Sequence, residues 1–292
     1  MPRSSLPLVV AGLTALTVVA PACAPADSTG DTKTSATATG TAACVKDKLK
    51  LIKPGTLTVA TDKPAFAPWF KNDDPANGQG FESAVTYAVA NKLGFAKNEV
   101  TWTTESFDSS YAPGPKKFDF DINQISVTPE RRKAVTFSDG YYDVAQAVVA
   151  ADGGTYAGAT SVNELKNARI AVQVGTTALQ AVRRQIQPAT QPRVFNNEID
   201  AINALKNKQV DVLVLDLPTA FYVTAAQVKN SKIVGQLPRS ADGNEQFGLL
   251  LQRGNPLVGC LNVALGQLKS SGELARIQDR WLTSSAGAAV LK

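Results

Sequence analysis

The chain of 292 residues contains no histidine. That removes Ser-His-Asp triads, Cys-His pairs and His-ligated zinc from the chemistry open to it. Cysteine is scarce: Cys23, Cys44 and Cys260 lie too far apart to form a metal motif. No metal and no cofactor are therefore expected. Neither sign of charge dominates, with 30 Lys and Arg against 25 Asp and Glu. The basic runs Lys116-Lys117 and Arg131-Arg132-Lys133 are not interleaved with aromatics, so there is no case for nucleic acid. The apolar run from Leu6 to Ala20 is too short to span a bilayer comfortably. What is present is a 44% hydrophobic content, enough for one large or two ordinary domains.

Residues 1–22 read as an export signal, with Arg3 as the charged start, the short apolar run, and Ala20-Pro21-Ala22 as a small-residue cut. Cys23 follows at once. This resembles a bacterial lipoprotein signal, in which that cysteine is lipidated, although such signals usually carry Leu or a similar residue where Ala20 stands. The alternative is an ordinary secretory cut leaving Cys23 free. The rest of 23–43 is Ala, Thr, Ser, Gly and Asp with hardly an apolar side chain, and reads as a disordered tether. Cys44 opens the folded part. Because export reaches an oxidising compartment, its expected partner is Cys260.

The stretch from Phe118 to Lys133 carries the densest information. Phe118, Phe120 and Ile122 alternate with Asp119, Asp121 and Asn123, which predicts a strand with one buried face. Thr128 is then placed as an N-cap and Pro129 as the first helical residue. Arg131 falls in that first turn, where a cation opposes the helix dipole. An anion held by Arg131, the Ser126 hydroxyl and free backbone N–H groups resolves the conflict. A solvated Arg131 beside Glu130 resolves it equally well.

Three further places repeat the theme of a strand ending at a polar group. The strand from Thr56 to Thr61 runs into Asp62, Lys63, Phe66, Trp69 and Phe70, a loop rich in aromatics and proline. It reads as an apolar ligand wall or as a lid packed on its own core. The strand from Arg169 to Val174 runs into Gly175-Thr176-Thr177, an anion site at a helix start or a plain threonine cap. The buried strand from Val210 to Leu215 ends at Asp216, placed to receive an ammonium beyond the strand end or only to cap the next helix. A glycine break at Asp152-Gly153-Gly154 separates the apolar strand Val144 to Ala151 from a second unit.

The block Asp119-Phe120-Asp121-Ile122 through Thr128-Pro129-Glu130-Arg131 and Phe137-Ser138-Asp139-Gly140-Tyr141-Tyr142 resembles the bacterial amino-acid-binding proteins of ABC importers, the family 3 solute-binding proteins of polar amino acid type. Thr58 to Asp62 with Phe66-Ala67-Pro68, Gly175-Thr176-Thr177, and Phe247-Gly248-Leu249 to Arg280-Trp281-Leu282 fit the same family. The resemblance covers roughly residues 44–283. It implies an α/β, two-lobed periplasmic-binding-protein-like fold of type II, with hinge strands at Val144–Ala151 and Gln246–Gln252. Lobe one would take residues 44–148 and 248–292, and lobe two residues 149–247. It also implies that Arg131 and Ser126 hold a ligand α-carboxylate, with Thr176 and Thr177 contributing from lobe two. Asp216 would bind the α-ammonium, and Phe66 and Phe107 would pack on the ligand. Asp62, Lys63, Trp69, Gln124 and Gln173 are then the candidates for reading its side chain. Two departures stand out: Gly80-Phe81-Glu82-Ser83-Ala84 where the family shows Gly-Phe-Asp-x-Asp, and a proline-rich stretch around Pro113 in place of a helix.

The function so implied is not enzymatic. It is capture of a polar amino acid, of glutamate, glutamine or aspartate type, by a monomeric, extracytoplasmic lipoprotein. The lipid would anchor it to the cell membrane, and an ABC permease would receive the ligand. Two alternatives are an enzyme on the same fold, similar to a cyclohexadienyl dehydratase, and a ligand-sensing domain. The enzyme needs a crevice acid or base of perturbed pKa. The sensor needs a membrane helix or signalling domain after Lys292, and none is expected.

Overall fold

The structure, a computed structural model, describes residues 44–239, 245–282 and 287–292. The expected export signal, Cys23 and the tether lie outside the described residues. Cys44 and Cys260 are joined, with their Cα atoms 5.2 Å apart across 216 positions of sequence.

Two five-stranded sheets carry the fold. The first takes β1 (Leu57–Thr61), β2 (Val100–Thr104), β3 (Phe120–Asp121), β4 (Val135–Val144) and β10 (Glu245–Gln252) in the order β2-β1-β3-β10-β4. The second takes β5 (Gln146–Ala151), β6 (Ile170–Gln173), β7 (Arg193–Phe195), β8 (Val212–Asp216) and β9 (Ser231–Gln236) in the order β7-β6-β8-β5-β9. In each sheet four strands run in one direction and a single strand, β10 in the first and β5 in the second, runs against them. The chain passes from the first sheet to the second at Ala145, between β4 and β5, and returns between β9 and β10.

Helices cover both faces of each sheet. On the first lobe these include α1 (Phe81–Lys92), the single turns α2 (Phe107–Ser110) and α3 (Pro129–Arg132), and the terminal pair α7 (Leu257–Ser270) and α8 (Glu273–Leu282). The second lobe has α4 (Thr177–Ala181), α5 (Glu198–Lys206) and α6 (Leu217–Tyr222). Central strands covered on both sides read as continuous apolar runs, and all five residues of β1 are buried.

That double cover overturns the one-faced strand expected around Asp119. Residues 118–123 are buried throughout, because β3 sits in mid-sheet between β1 and β10. Asp119 survives burial by accepting the N–H groups of Ile52 and Thr58 at 2.8 and 2.7 Å. Among the described residues Asp121 has no hydrogen-bond partner on either oxygen, and desolvation with Glu82 nearby drives its carboxyl well above the usual range.

The chain end also departs from expectation. Residues 248–292 were assigned to lobe one, yet 288–292 run along β9 of the second sheet. Gln236 N donates to Ala289 O at 2.7 Å, Leu291 N to Gln236 O at 2.9 Å, and Lys292 N to Thr160 O at 3.0 Å. Leu291 is buried in the second lobe's core. The physical reason is an open edge: β9 is the outer strand of its sheet, and the last residues pair with it.

Candidate functional site

The carboxyl ends of β1 and β3 face those of β6 and β8 across a cleft. Ten of the expected residues line it: Asp62, Lys63, Phe66, Phe107, Gln124 and Ser126 from the first lobe, and Gln173, Thr176, Thr177 and Asp216 from the second. They arrive there for the reason parallel sheets generally provide, since side chains at strand carboxyl ends are left to the loops above the sheet. Two expected residues do not line the cleft, and each is held by packing that local sequence does not disclose.

Trp69 belongs to the core. It is 1% exposed and makes edge contacts with Phe81, Tyr142 and Phe247, at centroid distances of 6.0, 5.7 and 5.6 Å. Its indole N–H donates to Thr219 Oγ1 of the second lobe at 2.8 Å, so it joins the lobes.

Arg131 is buried, at 7% exposure, and is not part of the cleft lining. The caps predicted around it are present: Thr128 Oγ1 accepts from Arg131 N at 3.1 Å, and Pro129 is the first helical residue. The guanidinium, however, donates to two main-chain carbonyls, Ser126 O at 2.6 Å and Gly175 O at 2.9 Å. It also stacks over Tyr111 and Phe107 at 4.7 and 5.3 Å. Burial lowers its pKa, opposed by the fields of Tyr111, Glu245 and Asp216. Gly175 makes this approach possible. Its φ is +71°, and a Cβ there would meet the Tyr111 hydroxyl at 2.1 Å.

Three carboxyl groups line the cleft: Asp62, Glu198 and Asp216. Asp62 accepts the N–H groups of Lys63 and Phe107 at 2.7 and 3.2 Å, and desolvation raises its pKa against those bonds. Glu198, at the start of α5, is pushed up to about 7 by desolvation. Asp216 is raised well above the carboxylate range, first by desolvation and then by the charges of Glu245 and Glu198. It occupies the N-cap position of α6 but makes no side-chain capping bond, and it accepts instead from Gln146 Nε2 at 2.7 Å. An acid so raised, facing a cleft, is completed by a cation from outside. Thr176 is spent locally, capping α4 through Leu179 N at 3.2 Å. Gln124 is turned onto Glu82, which also accepts from Tyr141 and sits at about 7 through desolvation.

A fourth carboxylate stands behind the lining. Glu245, the first residue of β10, accepts from Ser126 Oγ and Thr177 Oγ1, both at 2.5 Å, with Gln146 Nε2 at 3.3 Å. Sequence reasoning passed over Glu198, Gln146 and Glu245. Glu198 was findable, because it follows the short strand β7 at its carboxyl end. Glu245 carried no local signal: it meets Ser126 across 119 positions. Among the described residues no group of three or more Cys, Asp or Glu is placed to hold a metal ion.

Comparison with known proteins is consistent across sequence and structure. Residues 57–284 match the family described as bacterial extracellular solute-binding proteins, family 3. The chain is 26% identical over 246 residues to the ABC transporter glutamine-binding protein GlnH of Bacillus subtilis, covering 83% of this chain and 84% of that protein. It is 30% identical over 209 residues to the ABC transporter arginine-binding protein 1 of Escherichia coli, covering 69% and 81%. Among solved structures, an ancestral arginine-binding protein bound to arginine superposes with a TM-score of 0.65 at 33% identity, covering 78% of this chain and 98% of that one. An ancestral amino acid-binding protein, a precursor of cyclohexadienyl dehydratase, gives 0.64 at 28% identity, covering 78% and 95%. The two lobes are those of the type II periplasmic-binding-protein fold.

Proposed function

The chain belongs to the bacterial extracellular solute-binding proteins of family 3, and from that premise we propose that it captures one free amino acid between its lobes and hands it to an ABC permease. The observation that carries the reading is Asp216. It is a half-buried carboxylate released from capping and open to a cleft, with the aromatic rings of Phe66 and Phe107 among that cleft's walls. An α-ammonium there replaces lost solvation with a charge-assisted bond. Asp62 and Glu198 bring further carboxyl groups to the lining, whose ionised forms favour a neutral or cationic side chain, such as that of glutamine or arginine, over glutamate or aspartate. We place the protein outside the cytoplasm as a monomer, anchored through a lipid on Cys23. Among the described residues no helix is long and apolar enough to cross a membrane.

One observation favours a second reading, an enzyme acting on a small acid: Glu198 has a carboxyl near 7 in the cleft, as a general acid needs. Against it, an anionic substrate would enter a lining already carrying three carboxyl groups. A thermal-shift screen of the twenty amino acids tests the binding reading, since a ligand at 100 times its Kd stabilises by about 2.7 kcal/mol. No shift with any of them would count against it, and turnover of a cyclic acid would support the enzyme.

A further inference from the structure

Glu245 holds one hydroxyl from each side of the cleft. Ser126 belongs to the first lobe, where it bridges Phe247 of β10, and Thr177 opens α4 of the second. Both hydroxyls meet the same oxygen, Glu245 Oε1, at 2.5 Å. A serine or threonine has one hydrogen to donate, and an ionised carboxylate can only accept. Both donors are therefore spent on Glu245. Gln146 Nε2, shared between Glu245 at 3.3 Å and Asp216 at 2.7 Å, has little left to offer. Arg131 lies buried and gives two of its five N–H donors to the carbonyls of Ser126 and Gly175. A second carboxylate brought to Ser126 and Thr177 would find both hydroxyl hydrogens taken and would add like charge beside Glu245. The two anions exclude each other.

We propose that Glu245 is a resident stand-in for a ligand carboxylate: it occupies the Ser126 and Thr177 hydroxyls when no ligand is bound, latches the two lobes together, and must leave before the carboxylate of an amino acid can take its place. Glu245 then sets the affinity of the site, because each binding event displaces an internal competitor. It also biases the lobes toward closure without ligand, since one side chain grips both. This inference rests on the amino-acid-binding reading only for its displacement step, and the latch stands independently of it.

The test uses the full chain and its Glu245→Gln and Glu245→Ala variants. Small-angle scattering without ligand should give a larger radius of gyration for Glu245→Ala than for wild type. Thr177→Val, which removes one of the two donors and leaves Glu245 in place, should expand it as well. Calorimetry with L-arginine and L-glutamine should show Glu245→Ala binding at least tenfold more tightly than wild type (about 1.4 kcal/mol). Glu245→Gln, which keeps the shape and loses the charge, should gain less. The α-amides of the same amino acids bring no carboxylate to compete, so their affinity should stay within twofold across the series. Unchanged scattering for both Glu245→Ala and Thr177→Val overturns the latch. Equal or weaker binding of the free amino acids to Glu245→Ala, or an equal gain for the amides, overturns the displacement. If no variant binds either amino acid, the proposed function fails and the scattering comparison still decides the latch.

Discussion

Replacing Arg131 should cost folding stability in the absence of any ligand. The structure assigns its guanidinium two charge-assisted bonds to carbonyls, at 2.6 and 2.9 Å, and two stacked rings at 4.7 and 5.3 Å. Hydrogen bonds to charged groups contribute about 1.5–3 kcal/mol each, and a desolvated cation–π contact contributes about 2 kcal/mol. Against that gross sum of about 7–10 kcal/mol stands the several kcal/mol spent in burying the guanidinium. Arg131→Met keeps most of the stem, removes the charge and leaves the carbonyls of Ser126 and Gly175 unpaired, and it should destabilise by about 2–4 kcal/mol. Arg131→Lys should recover only part of this, because a point charge cannot donate to both carbonyls as a planar fork does. Arg132→Met is the control. Arg132 is exposed, 6.0 Å from the Phe137 ring, and its loss should cost about 0–1 kcal/mol. Urea unfolding at pH 7 without ligand reads all three. If Arg131→Met unfolds within 1 kcal/mol of wild type, or Arg131→Lys is fully stable, the guanidinium is not the bridge described. An arginine whose only role was to grip a ligand would lower affinity and leave this transition unmoved.

Asp216→Asn should weaken binding of the amino acid found in the screen by about 2–5 kcal/mol, tens to thousands of fold in Kd. Calorimetry against the deaminated analogue should show most of the preference for the α-ammonium lost, and binding within threefold of wild type would refute the assignment. Glu82, with its folded pKa about 7 against an ordinary 4.5, holds its proton more tightly folded than unfolded. Its contribution is therefore fully present below about 4.5 and is lost as pH rises toward about 7, a fall of about 3 kcal/mol. Asp121 acts in the same direction. Urea unfolding at pH 5 and pH 8 should show the decline, and Glu82→Gln should flatten it; an equal slope in that variant would exclude Glu82 as its source. Leu291→Ala should destabilise by about 2–3 kcal/mol, at the lower end for a buried leucine because it packs beside an edge strand that can relax. A thermal midpoint equal to wild type would mean that the last residues do not hold to the second sheet.

Local chemistry along the chain was sufficient for much of the architecture. Period and composition located β1, β6, β8 and β10 within a residue or two, because apolar runs bounded by turn residues have few other uses. Thr128 caps the helix it was expected to cap, and Thr176 supplies the plain threonine cap left open beside an anion site, because capping is settled within four residues. The rule that ligand groups collect at strand carboxyl ends brought Asp62, Gln173 and Asp216 to one cleft. What tertiary structure decided is where each side chain spends its polar atoms. Trp69 and Phe66 share one loop and one composition, yet Trp69 is taken into the core by Phe81, Tyr142 and Phe247, while Phe66 is left at the cleft. Arg131 was recognisable as a cation seeking an acceptor, but the acceptor is a pair of carbonyls, one of them 44 positions away on the other lobe. Glu245 was indistinguishable from any surface glutamate until β10 brought it against Ser126 and Thr177. Pattern and propensity act over a few neighbouring residues, whereas these partners are fixed by which strands lie side by side, and that order is set by the burial of both sheets at once.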